Sequence, residues 1–410
     1  MEIHSLQLSN GIPLIVVPTF AGAPTSLQVW FLCGSRAEKE DEAGLAHLDE
    51  HLFFKGGDDF PDERRVEREL RLLGGKYNAL TSRENVFYFI TSSPRHLSRA
   101  AHLLSDMLIH ARMDEQAVKK ECKVITQELN QLRDNPEDFA ESEFTRFIFG
   151  DNPLGREMLG TKKTLRRFTA ADAKSFKRFC GPPNGVITVV GDIELEKTTE
   201  ILEERFGRIS QKEPVNWLPF RMAESLRPAK LLKRKGAEEQ AHLHIGGFTP
   251  SYRSSDAKAA FVLGEILSNR LFLEVRIEQS LAYSVFAETQ LFSDVGYFFV
   301  YAGVDPAAGA ITKAIEAILS QMADVKEGNL TDDEVEEAKT VLHANIDLSL
   351  DTSWMIGAFF ASYQLLLGHT KTPAEVHEEI NRVGKNDLVR LAREFWTEEM
   401  VRALVMTSSF

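Results

Sequence analysis

Two histidines and a glutamate stand close together in the segment HLDEH at residues 47–51. On an α-helix of about 3.6 residues per turn, His47, Glu50 and His51 share one face, because residues three and four apart are neighbours there. Two imidazole nitrogens at this spacing can bind one Zn²⁺ at roughly 2.0–2.1 Å. The glutamate can then hold a water molecule and accept its proton. The segment therefore predicts a metal-binding helix with a general base.

The leucines around this segment predict how such a helix is held. Leu45, Leu48 and Leu52 form an apolar stripe beside the histidines, which is typical of a helix anchored in a core, and Asp49 points to another side. The pattern H-x-x-E-H is the inverted form of the zinc-protease helix. Two histidines four residues apart also occur by chance, as one packed and one solvated side chain. The rest of the chain must decide between these interpretations.

Length and composition limit the class of protein. A chain of 410 residues predicts two or more domains, and 43% hydrophobic with 27% charged residues is typical of a soluble globular protein. No apolar run approaches the ~18–20 residues of a membrane span, so we expect no membrane partner. A formal net charge of -13 disfavours a nucleic acid partner.

The N-terminus and the cysteines predict the compartment. The first residues lack the basic and apolar regions of a secretory signal and the arginines of a mitochondrial presequence. The three cysteines lie far apart without a C-x-x-C pair, so we expect reduced, buried thiols (Cys33, Cys122 and Cys180). The sequence therefore predicts a cytoplasmic protein.

The order of predicted elements repeats along the chain. Strands within residues 3–34, which include an Asn-Gly hairpin turn, precede helices at about 94–149, and strands from 241 onwards precede long helices at about 307–396. Strands followed by helices, twice, predict the α+β class. We expect two homologous domains related by internal duplication, each a mostly antiparallel sheet packed with helices.

The predicted domain boundary lies in a segment rich in proline and polar residues. We assign residues 1–210 to the first domain, 211–228 to a linker and 229–410 to the second domain. The second half contains no H-x-x-E-H, so only the first domain is expected to hold a metal ion.

Two glutamates are candidates for a third metal ligand. A catalytic zinc usually has three protein ligands and a water. Glu121 and Glu128 lie seven residues apart on a predicted helix at 114–133 and therefore face the same side. Two glutamates on a charged helix most often form a solvated face, so this pattern alone leaves their role open.

The H-x-x-E-H segment with these two later glutamates resembles the pitrilysin/insulinase family of zinc peptidases. The resemblance implies that Glu128 is the third ligand beside His47 and His51, and that Glu121 supports the site through a hydrogen bond from outside the ligand shell. It implies one Zn²⁺ per chain and Glu50 as the general base.

Two further segments extend the resemblance. The strand around Asn78 and Ala79 is similar to an exposed edge strand of the family, on which an extended peptide substrate adds as a new strand. Arg276 and Tyr283 match a family pair that orients the peptide and stabilises charge on the attacked carbonyl. Taken alone, these are an ordinary core strand, a surface arginine and a core tyrosine.

Other candidate sites are set aside. His242 and His244 alternate on a predicted strand like a metal-binding pair, but no third ligand lies at a suggestive spacing. The sequence contains neither a phosphate-binding glycine loop nor a G-x-S-x-G elbow. We predict no metal, nucleotide or serine-nucleophile chemistry from these segments.

The resemblance covers nearly the whole chain and is closest to the short, two-domain subgroup related to mitochondrial processing peptidases. It implies a zinc endopeptidase that hydrolyses unfolded peptides or short polypeptides inside a clam-shell chamber of two subunits. Both the metal helix and the arginine–tyrosine pair lie on this chain, so we expect a homodimer. The alternatives are a non-catalytic scaffold or assembly subunit of the same fold, and a catalytic subunit that needs a separate partner chain.

Overall fold

The computed structural model describes residues 2–217, 219–222, 231–234 and 239–407. The end of the predicted linker, residues 223–228, lies outside the described residues, as does residue 218. The strands are β1 (His4–Gln7), β2 (Pro13–Pro18), β3 (Thr25–Phe31), β4 (Lys76–Thr81), β5 (Val86–Ser92), β6 (Gly185–Gly191), β7 (Leu231–Arg234), β8 (Ala241–Thr249), β9 (Ala282–Leu291), β10 (Gly296–Val304) and β11 (Arg402–Met406).

The helices lie between and after these strands, and a π-helical segment at Phe272–Glu278 continues one of them. The α-helices are α1 (Leu45–Phe53), α2 (Glu63–Leu73), α3 (Leu97–Ile109), α4 (Glu115–Asp134), α5 (Pro136–Phe149), α6 (Lys162–Leu165), α7 (Ala170–Phe176), α8 (Leu195–Phe206), α9 (Ala257–Leu271), α10 (Ala308–Glu327), α11 (Asp332–Leu348), α12 (Ser353–Leu367), α13 (Pro373–Asn381) and α14 (Lys385–Phe395). None of the helices in these described ranges combines the length and apolar character that crossing a bilayer requires.

Two sheets share one topology. The first has the order β1-β2-β6-β3-β5-β4 and the second the order β7-β11-β8-β10-β9. Without β1, the two orders match strand for strand. In each sheet one pair is parallel, β2 with β6 and β7 with β11, while the other pairs are antiparallel. This correspondence confirms the predicted α+β class with two mostly antiparallel sheets, and it is the pattern that an internal duplication produces.

Contacts divide the chain into two compact units, which we call the first and the second unit. The first consists of Met1–Leu129, Arg156–Leu218 and Leu348–Lys371, and the second of Asn130–Gly155, Pro219–Asp347 and Thr372–Phe410. One break falls inside the predicted linker. Each unit also includes a helical segment from the other half of the sequence, α12 in the first and α5 in the second. The predicted domains, residues 1–210 and 229–410, do not include this exchange.

One face of the first sheet packs against α1 and its neighbours. Leu45, Leu48 and Leu52 are fully buried in this core, in the same cluster as Val29 of β3 and Tyr88 of β5. Full burial of a leucine side chain contributes roughly 1.5–3 kcal/mol, so the predicted apolar stripe is sufficient to hold this nine-residue helix on the sheet.

The other face of the first sheet is covered by α12. Phe360 and Ile356 pack there in a cluster with Trp30 of β3 and Phe87 of β5. At Gly357 the helix comes so close to the sheet that an added Cβ would lie 2.4 Å from the Nε2 of Gln28. That side-chain amide donates a hydrogen bond to the backbone carbonyl of Trp354 at 2.7 Å. The first unit is therefore a sheet between two helical layers.

Candidate metal centre

The start of α1 is fixed by a glycine and a buried glutamate. Gly44 has φ +100°, and a Cβ there would lie 3.0 Å from the Cα of Gly160, so both the backbone conformation and the space require glycine. The carboxylate of Glu38 accepts hydrogen bonds from the backbone N–H groups of Gly44 and Ala46, at 3.0 and 2.7 Å. Burial raises the pKa of Glu38 to about 8, although these two hydrogen bonds favour the charged form. Glu38 therefore satisfies amide groups that the first turn of a helix leaves without partners.

The side of α1 that carries Asp49 is fixed by an ion pair. Asp49 is fully buried, and its carboxylate lies 2.9 Å from the Nζ of Lys177 and accepts a hydrogen bond from the hydroxyl of Tyr88 at 2.7 Å. Burial alone lowers the pKa of Lys177, but the carboxylate of Asp49 outweighs burial and raises it. Two polar side chains from β5 and the segment after α7 therefore hold the helix at this point.

The face with the histidines brings three candidate ligand atoms together. The Nε2 of His47 lies 3.0 Å from the Oε2 of Glu128 and 3.2 Å from the Nε2 of His51. The remaining distance, from the Nε2 of His51 to the Oε2 of Glu128, is 3.5 Å. Among the described residues this is the only group of three or more histidine, cysteine or acidic side chains close enough to share a metal ion.

The second nitrogen of each imidazole faces a carboxylate. The Nδ1 of His51 lies 3.1 Å from the Oε2 of Glu121, and the Nδ1 of His47 lies 3.4 Å from the Oε2 of Glu50. An Nδ1–H that donates to a carboxylate leaves the lone pair on Nε2, which is the tautomer that binds a metal. The first unit thus directs two lone pairs and one carboxylate oxygen to a common point.

This donor set fits a zinc ion. Tetrahedral zinc with bonds of about 2.0–2.1 Å separates its ligand atoms by roughly 3.3 Å. The three distances of 3.0, 3.2 and 3.5 Å bracket that value. Burial alone lowers the pKa of His47, but the carboxylates of Glu50 and Glu128 outweigh burial and raise it, so the surroundings favour positive charge at this point.

A lysine completes the outer layer of the site. Lys55 lies 2.9 Å from the Oε1 of Glu121, on the opposite side of the carboxylate from His51, and 3.0 Å from Glu63. Burial raises the pKa of Glu121, but its hydrogen bonds with His51 and Lys55 outweigh burial and lower it. Glu121 therefore stays ionised and oriented toward the imidazole.

The predicted peptide-binding residues of the first half lie on an edge strand. Asn78 and Ala79 belong to β4, which pairs with β5 and is the last strand of the first sheet in the described part of the chain. Asn78 is exposed, Ala79 is buried, and the hydroxyl of Thr81 donates a hydrogen bond to the backbone carbonyl of Ala46 in α1. No other described strand pairs with the outer edge of β4, and Thr81 joins β4 directly to α1, which carries the candidate ligands His47 and His51.

Arg276 and Tyr283 lie together in the second unit. The guanidinium of Arg276 is 5.4 Å from the ring centre of Tyr283 and 5.2 Å from that of Phe272. Arg276 lies in the π-helical segment, and Tyr283 is 78% exposed in β9, the edge strand of its sheet. The structure therefore brings these two residues into one exposed stack, whereas a core position for the tyrosine, the alternative from sequence, is wrong.

Several residues that shape the site were not predicted. Polar contacts from four side chains hold α1 or its carboxylate partners: these side chains are Glu38, Asp49, Lys55 and Lys177. Asp49 was the one available signal in the sequence, because it lies four residues after Leu45 and three before Leu52 and so belongs to the apolar stripe. The expectation that it points to another side of the helix is wrong, since its side chain is fully buried. The partners of these groups are distant in sequence, so no local spacing identifies them.

Comparisons with known proteins identify the family of this chain. Residues 21–162 match the family model described as insulinase (peptidase family M16), and residues 167–342 match the model of the peptidase M16 inactive domain. A protein of Bacillus subtilis (strain 168) named uncharacterized zinc protease YmxG is 30% identical, over 99% of this chain and 98% of that relative.

Two further comparisons concern a eukaryotic relative and the fold. The mitochondrial-processing peptidase subunit beta of Saccharomyces cerevisiae is 26% identical, over 94% of this chain and 87% of the relative. The crystal structure of a protease from Helicobacter pylori has a TM-score of 0.91 at 22% identity, covering 99% of each chain, which shows a shared fold. The matches confirm the resemblance seen in the sequence, and the chain belongs to the insulinase family of peptidases, peptidase family M16.

Proposed function

We propose that this protein is a zinc-dependent endopeptidase that hydrolyses unfolded peptides or short polypeptides. The observation that carries the proposal is the convergence of His47 Nε2, His51 Nε2 and Glu128 Oε2 within 3.5 Å of one another. The membership of the family and the relatives named zinc proteases support zinc as the metal. One zinc ion per chain would supply Lewis acidity, lowering the pKa of a water to about 7 and polarising a carbonyl.

The residues of the chain then have separate tasks. His47, His51 and Glu128 hold the metal, and Glu121 orients His51 through its 3.1 Å contact. Glu50 lies on the same face of α1 as the two histidines, and its carboxylate accepts the proton of the attacking water and donates it to the leaving amine. Every group needed for proton transfer thus lies on α1 and α4.

Substrate binding uses the edge of the first sheet and the exposed stack of the second unit. An extended peptide that pairs with β4 at Asn78 and Ala79 forms backbone hydrogen bonds, which give affinity with little sequence selectivity. Arg276 and Tyr283 orient the peptide and stabilise charge on the attacked carbonyl. We further propose a homodimer enclosing a clam-shell chamber, because the metal ligands and the arginine–tyrosine pair are encoded in a single chain.

The test is the variant Glu50→Gln. The amide cannot accept the proton of the water but leaves the three ligands in place. We expect stoichiometric zinc, measured by elemental analysis, and a complete loss of cleavage of a quenched fluorescent peptide. The proposal is refuted if the parent protein binds no zinc or does not cleave the peptide. If Glu50→Gln cleaves the peptide at the parental rate, only the assignment of Glu50 as the general base is wrong. Activity of the purified protein, with its mass in solution, tests the homodimer.

A further inference from the structure

A second pair of facing histidines lies in the second unit, on two helices that no part of the proposed chemistry uses. His343 of α11 and His377 of α13 have ring centres 4.7 Å apart, and their Nδ1 atoms are separated by 2.6 Å. Both side chains are partly buried. Their arrangement repeats that of the candidate metal centre, in which two ring nitrogens also face each other.

The outer nitrogen of each ring contacts an oxygen of the opposite helix. The Nε2 of His343 lies 2.9 Å from the side-chain oxygen of Asn381, and the Nε2 of His377 lies 3.1 Å from the Oδ1 of Asp347. The contacts are reciprocal, since α11 contributes His343 and Asp347 while α13 contributes His377 and Asn381. In the tautomer in which each Nε2–H donates to its oxygen, each Nδ1 carries a lone pair.

Two lone pairs that face each other across 2.6 Å repel unless a cation lies between them. Histidines that bind metals characteristically donate their other ring N–H to a carboxylate or a carbonyl oxygen, which fixes the tautomer and raises the basicity of the ligand nitrogen. Asp347 and Asn381 supply such acceptors here. In that tautomer the two Nδ1 atoms are arranged to share one cation.

We propose that His343 and His377 bind a divalent transition metal through their Nδ1 atoms. Bonds of about 2.0–2.1 Å require the nitrogens to separate to roughly 3.3 Å, a shift that rotation of the two partly exposed rings can provide. Water completes the coordination. Among the described residues, only His47, His51 and Glu128 form a group of three histidine, cysteine or acidic side chains close enough to share an ion, so His343 and His377 have no third ligand of these types in range.

The donor type determines which metals bind. Imidazole nitrogens suit Cu²⁺, Ni²⁺ and Zn²⁺, whereas Mg²⁺ and Ca²⁺ require oxygen ligands. The site should bind Cu²⁺ more tightly than Ni²⁺ or Zn²⁺. A bound ion would join α11 to α13 and raise the thermal stability of the second unit, since a ligand that binds only the folded state stabilises it.

The experiment is a metal titration of full-length protein that has been stripped with a chelator. Equilibrium dialysis against Cu²⁺ or Zn²⁺, followed by elemental analysis, should give two ions per chain for the parent protein. The double variant His343→Asn/His377→Asn should bind one ion and show a smaller metal-dependent rise in melting temperature than the parent. The double variant His47→Asn/His51→Asn should also bind one ion, and it tests the second site independently of the proposed peptidase site.

A matched control removes two other histidines with acidic neighbours. His102 and His110 lie 2.7 and 3.2 Å from Asp59 and Asp58. The variant His102→Asn/His110→Asn should keep both ions. The milder change Asp347→Asn keeps both Nδ1 donors, and we expect it to weaken binding at the second site about 10–100-fold.

Two results would overturn the proposal. The first is a His47→Asn/His51→Asn protein, folded by circular dichroism, that binds no Cu²⁺ at saturation. The second is a His343→Asn/His377→Asn protein that binds as many ions as the parent. In either case the two imidazoles share only a proton, and the pair is a hydrogen-bonded contact between helices.

Discussion

The Nζ of Lys177 lies 2.9 Å from one carboxylate oxygen of Asp49 and 3.0 Å from the other, and Asp49 has no exposed surface. Asp49 stands inside the H-x-x-E-H segment, between the two histidines, and points into the protein. The ion pair therefore fixes the rotation of α1 about its axis, and with it the direction in which His47, Glu50 and His51 project.

Removal of the lysine tests the energetic role of this pair. We expect Lys177→Met to lower the free energy of unfolding by about 3–5 kcal/mol, because it leaves a buried carboxylate without its counter-charge. Urea denaturation measures the loss. The double variant Asp49→Asn/Lys177→Met removes both charges and keeps an oxygen for the hydroxyl of Tyr88, so it should recover most of the stability. A double variant less stable than Lys177→Met would show that the charge of Asp49 is not the cause.

The contact between His51 and Glu121 predicts an effect on metal affinity. Glu121→Gln weakens the acceptor of the imidazole N–H, and loss of such partners typically reduces metal affinity 10–100-fold. Competition with a chromophoric chelator measures the zinc affinity directly. Glu63→Gln is the matched control, because Glu63 also binds Lys55 at 3.0 Å but does not contact His51. If the two variants have equal zinc affinities, Glu121 does not support the site through its contact with His51.

The stack of Arg276 on Tyr283 predicts a loss of activity without a loss of stability. Tyr283→Phe removes the phenol that is proposed to contact the attacked carbonyl, and the loss of one such donor typically lowers kcat about 10²–10³-fold. Because the ring is 78% exposed, the free energy of unfolding should change by less than about 0.5 kcal/mol.

Peptide cleavage and urea denaturation on the same samples separate the two effects of Tyr283→Phe. Phe20→Leu changes another exposed aromatic ring, which is 75% exposed in the first unit, and should alter neither quantity. If Tyr283→Phe cleaves the peptide at the parental rate, Tyr283 has no role in the reaction.

An ion pair of the second unit predicts a dependence of stability on pH. Burial raises the pKa of Glu334, but hydrogen bonds from Arg270 and Thr331 outweigh it and lower the pKa to about 2. A lowered pKa in the folded state contributes stability above about pH 4.5, and that contribution is lost as the pH falls toward 2.

The variant Glu334→Gln should therefore be less stable than the parent at pH 7, with a difference that shrinks between pH 4.5 and 3. Chemical denaturation at several pH values measures it. Glu337→Gln, at an exposed position of the same helix, should differ little from the parent throughout. A difference for Glu334→Gln that stays constant down to pH 3 would refute the lowered pKa.

The sequence was sufficient to predict the helix α1 and the presence of two mostly antiparallel sheets. The leucine stripe of α1 has the helical period and is buried as predicted. The central strands of both sheets are buried along their whole length and are recognisable as short runs between turns. His47 and His51 come together because one helix carries both. Glu128 was placed beside them only through the family resemblance, because no local rule brings a residue 77 positions later to the same point.

The remaining contacts depend on packing between distant segments. Asp49 pairs with a lysine 128 residues away, and Glu38 reaches back to the first turn of α1. The exchange of α5 and α12 between the units also has no local signal, since an amphipathic helix does not encode which sheet it covers. Spacing along the chain therefore predicts elements, but not which of them meet.

The position of α12 on the sheet of the first unit has a consequence for biosynthesis. A ribosome makes the chain from its N-terminus, yet the cover over Trp30 and Phe87 belongs to the first unit's last segment, Leu348–Lys371. This face of the sheet stays uncovered until the helix Ser353–Leu367 has been made. The first unit, although most of its residues are translated early, therefore cannot complete its packing before its last segment has been made.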